Sequence, residues 1–420
     1  MNLGPVVLAI PMYFTLMAVE LIAEGITKKH TYRINDAVTN ISTGVLQQLA
    51  ATFLQLLRIG FYILVYERLA PWHLPANWIS FALLFVLWDL CYYWDHRLQH
   101  RISLFWGAHS VHHQSEEYNL SVALRQSSTS VIWGFPLYLP LALLGFDPTQ
   151  FAIVGGLNLL YQFWIHTEHI HRMPAWFEWI FNTPSHHRVH HARDPKYLDK
   201  NYGGVFIVFD RWFGSFQAEE EKPHYGVTKP LNSWNPVYAN FAHYLDLAGY
   251  VRQARSMGDA LRILFYPPGW LPDYLGGFQE PPPVDDRTLR KYDVHPAFLR
   301  VQLYILSQFV AALLVNSYYF FNAAHFSGYA KIGAAAWIVF TTLMFGWLFE
   351  KRGRWIGMLE WLRLFVLPIG LMGLQEGGMS MPGWMIPLAW SFAGLSLLIF
   401  LWWIWPVRRM QSQGEVGVVQ

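Results

Sequence analysis

Apolar residues gather along the chain in blocks of about 20 with almost no charges, the length a helix needs to cross a bilayer's hydrocarbon core. The blocks run from about Leu3 to Leu21, Gly44 to Tyr66 (interrupted by Arg58), Trp78 to Trp94, Ser130 to Phe146 and Phe151 to Ile165. After a long polar stretch come Val301 to Phe321, Ile332 to Phe349, Met358 to Gly373 and Trp384 to Trp405. They predict an all-α, multi-pass transmembrane helical bundle of about nine spans, with no strand-rich region and no internal repeat. Asp147-Pro148 marks the tip of a hairpin between the fourth and fifth blocks, because proline and the residue before it do not continue a helix. The first block lacks a charged N-terminal flank and is followed by Lys28, Lys29 and Arg33, the reverse of a signal peptide.

Charge sets the expected orientation. Lys and Arg collect in short cytoplasmic loops, and alternate loops hold Lys28, Lys29 and Arg33, then Arg97 and Arg101, then Lys351, Arg352 and Arg354, then Arg408 and Arg409. The other side holds little beyond Arg68 and Lys331. This predicts an N-terminus outside and a C-terminus in the cytoplasm, in the inner membrane of a bacterium or the endoplasmic reticulum of a eukaryote. Residues 1–300 are expected to form the catalytic domain, membrane part and cytoplasmic cap together, and residues 301–420 a C-terminal bundle of four spans. Within the cap, Glu280-Pro281-Pro282-Pro283 reads as an extended strap, since consecutive prolines favour polyproline II.

Composition agrees with a membrane chain: of 420 residues, 54% are hydrophobic and 14% charged, against about 25% charged in soluble domains. A formal charge of +2 argues against nucleic acid as a partner, and the single cysteine, Cys91, excludes a disulfide scaffold or a thiolate cage. Histidine is the unusual residue. Of 18, twelve lie between His96 and His191, all on segments the span order returns to one face.

Their spacing carries the chemistry. His96 and His100 are four apart; His109, His112 and His113 form H-x-x-H-H, and His187, His190 and His191 repeat it. Residues three and four apart on a helix share a face, so each pattern presents imidazoles to a common point. With His166 the set reaches nine, too many for one tetrahedral zinc and suited to two ions with positions left open. Imidazole accepts iron, zinc or copper alike, so ligand type does not choose the metal. His169, His171 and His186 are second-rank candidates, whereas His30, His73, His224, His243, His295 and His325 read as isolated polar residues. Asp95 is either the partner of a ligand's outer nitrogen or a helix-end acid; Glu168 and Asp210 either orient water or pair with Arg188 or Arg211. Trp164, Trp176, Trp179 and Phe181 line a lipid channel or form an interfacial belt. A metal transporter would place its ionisable ligands inside spans along a pathway; these lie past span ends.

The order H-x-x-x-H, H-x-x-H-H, H-x-x-H-H on a multi-span chain resembles the fatty acid hydroxylase/sterol desaturase superfamily of membrane di-iron oxygenases. The stretches Tyr118-Asn119-Leu120, Ala123 to Ser127, Leu160 to Glu168, Asn182 to His191 and Asp199 to Gly204 resemble its ether-lipid branch, over roughly residues 30 to 300. The resemblance implies two iron ions on His96, His100, His109, His112, His113, His166, His187, His190 and His191. It also implies oxygen-dependent hydroxylation of a lipid C–H bond, in that branch O-alkyl cleavage of an alkylglycerol through a hemiacetal; sterols, fatty-acyl chains and amino-acid-containing lipids are the alternative substrates, hydroxylated or desaturated. Ether-lipid relatives often place a glutamate directly after the second histidine, where this chain has Arg101. Electrons come from outside, because no G-x-G-x-x-G turn and no cysteine set for an iron–sulfur cluster is present. Tetrahydropterin is the reductant the resemblance implies; a ferredoxin or cytochrome-type donor is the alternative.

Overall fold

The computed structural model describes residues 5–130, 132–284, 289–293, 299–350, 355–376 and 381–404, and among them every regular element is helical. They divide into two compact units, one of residues 1–232 with 238–292 and the other of residues 233–237 with 293–420. Lys351, Arg352, Arg354, Arg408 and Arg409, part of the orientation argument, lie outside the described residues, as does His295.

The first unit begins with α1 (Pro5–Thr27), α2 (Ile34–Leu69), α3 (Trp78–Arg101) and α4 (Ser103–His113). Asn77 starts α3 by accepting from the Ile79 and Ser80 amides at 2.9 and 3.1 Å while Ser80 Oγ accepts the Asn77 amide, a reciprocal cap that satisfies amides with no partner of their own. Ile102 alone separates α3 from α4. Short helices follow: α5 (Leu120–Ala123), α6 (Leu139–Leu143), α7 (Pro148–Trp164), α8 (Ala175–Ile180), α9 (Pro184–His190) and α10 (Val208–Trp212), then α11 (Pro236–Arg252), which belongs to this unit from Tyr238 onward, and α12 (Met257–Phe265). Asp147 caps α7 with Pro148 at its first position, where a missing N–H costs nothing. Tyr62, Leu84, Trp88, Tyr138 and Val154 form the core between α2, α3, α6 and α7.

The second unit holds α13 (Leu299–Asn322), α14 (Gly328–Glu350), α15 (Ile356–Glu376) and α16 (Met385–Ile399). Arg363 donates to both oxygens of Glu360 at 2.8 and 2.6 Å and to Gln308 at 2.7 Å, and Tyr304 donates to Glu360. The Glu360 and Arg363 charges are thereby paired within the apolar bundle, by groups that α13 and α15 share between them.

Five described helices are long and apolar enough to cross a membrane: Ala9–Thr27, Leu299–His325, Gly328–Glu350, Ile356–Glu376 and Met385–Trp402. A sixth arises when Ile34–Leu54 and Arg58–Leu69, bent by 43°, count as one. The expected nine reduce for physical reasons. The block from Ser130 to Phe146 is a 3₁₀ turn followed by the five-residue α6, because Pro136 and Pro140 lack the donors a helix ladder needs. Gly134 and Gly145 sit at φ 79° and 82°, and a Cβ on Gly134 would lie 2.2 Å from an Asp95 oxygen. Helix α3 carries Asp89, Asp95, Arg97 and Arg101, and α7 is only 17 residues long.

Candidate metal centre

Helical geometry distributes the histidines. On α4, His109 and His113 are one turn apart while His112 points about 100° away from His113; on α9 and its cap, His187 and His191 share a face that His190 leaves. The nine imidazoles accordingly form two groups. His96, His100, His109, His113 and His190 make the first and His112, His166, His187 and His191 the second; within each, one ligand atom per residue lies within 4.8 Å of all the others. Each H-x-x-H-H pattern thus gives its outer pair to one group and its middle residue to the other. The groups adjoin where the rings of His113 and His191 stack at 4.4 Å.

Outer ring nitrogens fix the tautomers. His96 Nδ1 donates to the Tyr202 carbonyl at 2.7 Å, His190 Nδ1 to Lys200 at 2.9 Å, His112 Nδ1 to Arg125 at 3.0 Å and His166 Nδ1 to Gln162 at 2.8 Å. A carbonyl only accepts, so each Nδ1 carries the hydrogen and each Nε2 turns a lone pair inward. Burial, reinforced by neighbouring imidazoles, holds His96, His109, His113, His187, His190 and His191 well below the ordinary histidine range. Burial likewise lowers His166 and brings His112 down to about 4. These rings are neutral at pH 7.

Two consequences test whether a metal fits. His112 and His166 face each other with Nε2 atoms 3.2 Å apart and no proton to share. His109 Nε2 lies 2.8 Å from His96 Nε2 and 3.0 Å from His113 Nε2, though one ring nitrogen serves one partner. His100 Nε2 and His190 Nε2 are buried without any partner. Converging lone pairs are costly when buried alone, and a cation in each group would satisfy them; the donor set fits metal.

The surrounding polar residues place the rings. Asp210 accepts from the Tyr202 and Gly203 amides, both at 2.7 Å, so it holds the loop whose carbonyl backs His96. Asp95 accepts from Gln99, with no hydrogen bond among the described residues to an imidazole of either group; Glu168 faces Lys222 at 3.9 Å. His169 faces Glu24, His171 faces Lys29, and His186 packs edge-on to Phe216; all three lie outside both groups. Several contributors carried no sequence signal that was read. Asp89, fully buried two turns before His96, accepts from the Val205 and Phe206 amides at 2.9 and 2.8 Å. Its position on the histidine face of α3 was the available clue. Glu20, inside the first apolar block, accepts from Thr167 beside His166 and from the Leu120 amide. Asp199 approaches His100 Nδ1 to 3.6 Å and Arg101 to 3.3 Å. Burial raises its carboxyl, but His100 and Arg101 outweigh that and hold it below the usual range. A polar cavity of about 180 Å³, lined by Lys29, Glu116, Glu168, Arg290 and Tyr118 among others, adjoins the second group. Its Tyr118 wall stacks 5.8 Å from His166.

Comparison with known proteins decides the family. A fatty acid hydroxylase family model matches residues 81–215, which contain all nine imidazoles. Human alkylglycerol monooxygenase is 35% identical over 96% of this chain and 89% of its own length, and the Xenopus tropicalis enzyme 34% identical over 84% and 78%. The chain belongs to the alkylglycerol monooxygenase family. Membership makes it a lipid-hydroxylating, oxygen-dependent membrane oxidoreductase of a di-iron family, for which the two groups are the sites able to hold metal. More distant family relatives include a Delta(7)-sterol 5(6)-desaturase of Aspergillus fumigatus, 27% identical over 37% of the chain and 54% of its own length. No solved structure matches.

Proposed function

We propose that this chain binds two iron ions, one in each imidazole group, and cleaves alkylglycerol-type ether lipids. The observation that carries the reading is the pair of buried, inward-facing imidazole groups, five and four donors strong, stacked against each other. Relatives named alkylglycerol monooxygenase support the substrate. Bound iron supplies oxygen activation and removal of hydrogen from an unactivated C–H bond. One oxygen atom enters the carbon beside the ether oxygen, the other leaves as water, and two electrons with two protons come from an external donor. The hydroxylated carbon is a hemiacetal, which collapses to an aldehyde and a glycerol. The chain's own residues orient the rings through Tyr202, Lys200, Arg125 and Gln162 carbonyls, and bury the groups so that solvent does not consume reactive species.

The donor in this reading is a tetrahydropterin, approaching through the polar cavity beside Tyr118. The sites face the cytoplasm, with the N-terminus outside and the C-terminus inside. Residues 1–300 carry the chemistry and residues 301–420 serve as membrane scaffold. Metal analysis of the purified full chain beside His109→Ala and His190→Ala tests the centre: about two irons in the parent and a loss in both variants are expected, with aldehyde released from an alkylglycerol only by the parent. A full zinc load without iron overturns oxygen activation. Iron-loaded protein that leaves alkylglycerol intact but converts a sterol or acyl chain overturns the substrate.

A further inference from the structure

The outer nitrogens of the two groups meet different chemistry. In the second, His112 and His166 donate to the neutral carbonyls of Arg125 and Gln162. In the first, one loop supplies three partners: the Tyr202 carbonyl for His96, the Lys200 carbonyl for His190, and the Asp199 carboxylate, 3.6 Å from His100 Nδ1. The backbone is built for this. Asp199 and Asn201 both take left-handed conformations, φ 60° and 56°, and the residues between and after them turn their carbonyls to the same group. Asn201 locks the turn by donating to the His186 and Gln217 carbonyls at 3.0 and 2.7 Å and accepting the Gln217 amide at 2.8 Å. His100 Nε2, the inward nitrogen, is buried and unpartnered. A negative charge beside Nδ1, here at 3.6 Å an ion contact rather than a hydrogen bond, makes the opposite nitrogen a stronger donor than a neutral carbonyl does. Arg101, whose NH1 lies 3.3 Å from the other Asp199 oxygen, shares that charge.

We propose that Asp199 is a positioning residue that makes the two metal sites unequal. By drawing on His100 it renders the five-imidazole group the tighter, more electron-rich site, and Arg101 moderates the effect. The four-imidazole group, with fewer donors, keeps more coordination positions open and is the side that meets oxygen and substrate. This inference rests on the di-iron reading.

The test uses full-length protein loaded with ⁵⁷Fe(II), its two irons followed by Mössbauer spectroscopy and by their rates of removal to a ferrous chelator. Asp199→Asn is the informative variant, because asparagine accepts positive φ as aspartate does and only the charge is lost. The parent should show two distinct iron signals and two release phases. In Asp199→Asn the slow phase should accelerate about 10–100-fold, the usual cost of losing such an outer partner. Its signal should shift while the fast phase stays in place; Arg101→Gln should slow the same phase. Release of both irons at parental rates from Asp199→Asn, or equal acceleration of both phases, overturns the proposal, as does a single signal and phase in the parent. A parent that takes up no iron overturns the di-iron reading itself, and is distinguishable from an iron-loaded parent that Asp199→Asn merely matches.

Discussion

Asp89 offers the sharpest check that the loop behind the first group is held from α3. Its two oxygens accept the backbone amides of Val205 and Phe206 and the Asn158 side chain at 2.6 Å, in a site with no solvent exposure. Asp89→Ala strands the two amides, which cannot reorient without moving the loop. At about 1–3 kcal/mol for each buried donor left unpaired, the cost is about 2–6 kcal/mol, towards the upper end because the lost acceptor is a carboxylate. At about 2–4 °C per kcal/mol for a domain of this order of size, the apparent melting temperature should fall by about 5–20 °C. Thermal unfolding in detergent, followed by tryptophan fluorescence, measures it. Asp89→Asn keeps an acceptor for one amide and should fall between parent and alanine variant. An alanine variant melting within about 2 °C of the parent, with unchanged iron content, refutes the reasoning, because the loop would then be fixed by something other than this carboxylate.

Acid should destabilise the metal-free protein. His96, His109, His112, His113, His166, His187, His190 and His191 sit below their unfolded pKa, near 6.5, with His112 at about 4, so as pH falls below 6.5 the unfolded chain takes up protons that the fold resists. Stability of the chelated protein should be flat from pH 8 to 7 and fall steadily from pH 6.5 to 5; a flat melting temperature across that acid range would contradict the assignment. In α2, a Cβ on Gly44 would lie 2.3 Å from the Leu124 carbonyl oxygen, next to Arg125, whose carbonyl backs His112; one on Gly60 would meet nothing within 4 Å. Gly44→Ala should therefore reduce folded yield and loosen iron from the second group, whereas Gly60→Ala should be neutral or stabilising by about 0.5–1 kcal/mol. Equal yields and iron contents would show that the Gly44 contact is relieved at no cost.

The convergence of these histidines was legible because side chains that meet from one helix face repeat at three- and four-residue spacing, and His96 to His191 display it openly. The partition was not legible: which ring of an H-x-x-H-H pattern turns to which group depends on how α4 and α9 oppose each other, a tertiary fact. Hydropathy overcounted spans for a related reason. A windowed average registers the apolar side chains of 130–146 but not the missing donors of Pro136 and Pro140 or the positive φ of Gly134 and Gly145. The outer partners divide likewise. Asp89 lay on a helix face already marked by histidine, while Asp199 reaches His100 through a left-handed loop that has no period to read. Most outer partners are backbone carbonyls, which a sequence never displays.

The exchange of middle residues between the two H-x-x-H-H patterns has a consequence for biosynthesis. The first group is incomplete until His190 has been made and the second until His191, so both close within one residue of each other, long after His96 has left the ribosome. A chain halted before that point carries at most four imidazoles of the first group and three of the second, so neither group is whole until the last turn of the second H-x-x-H-H pattern has been made.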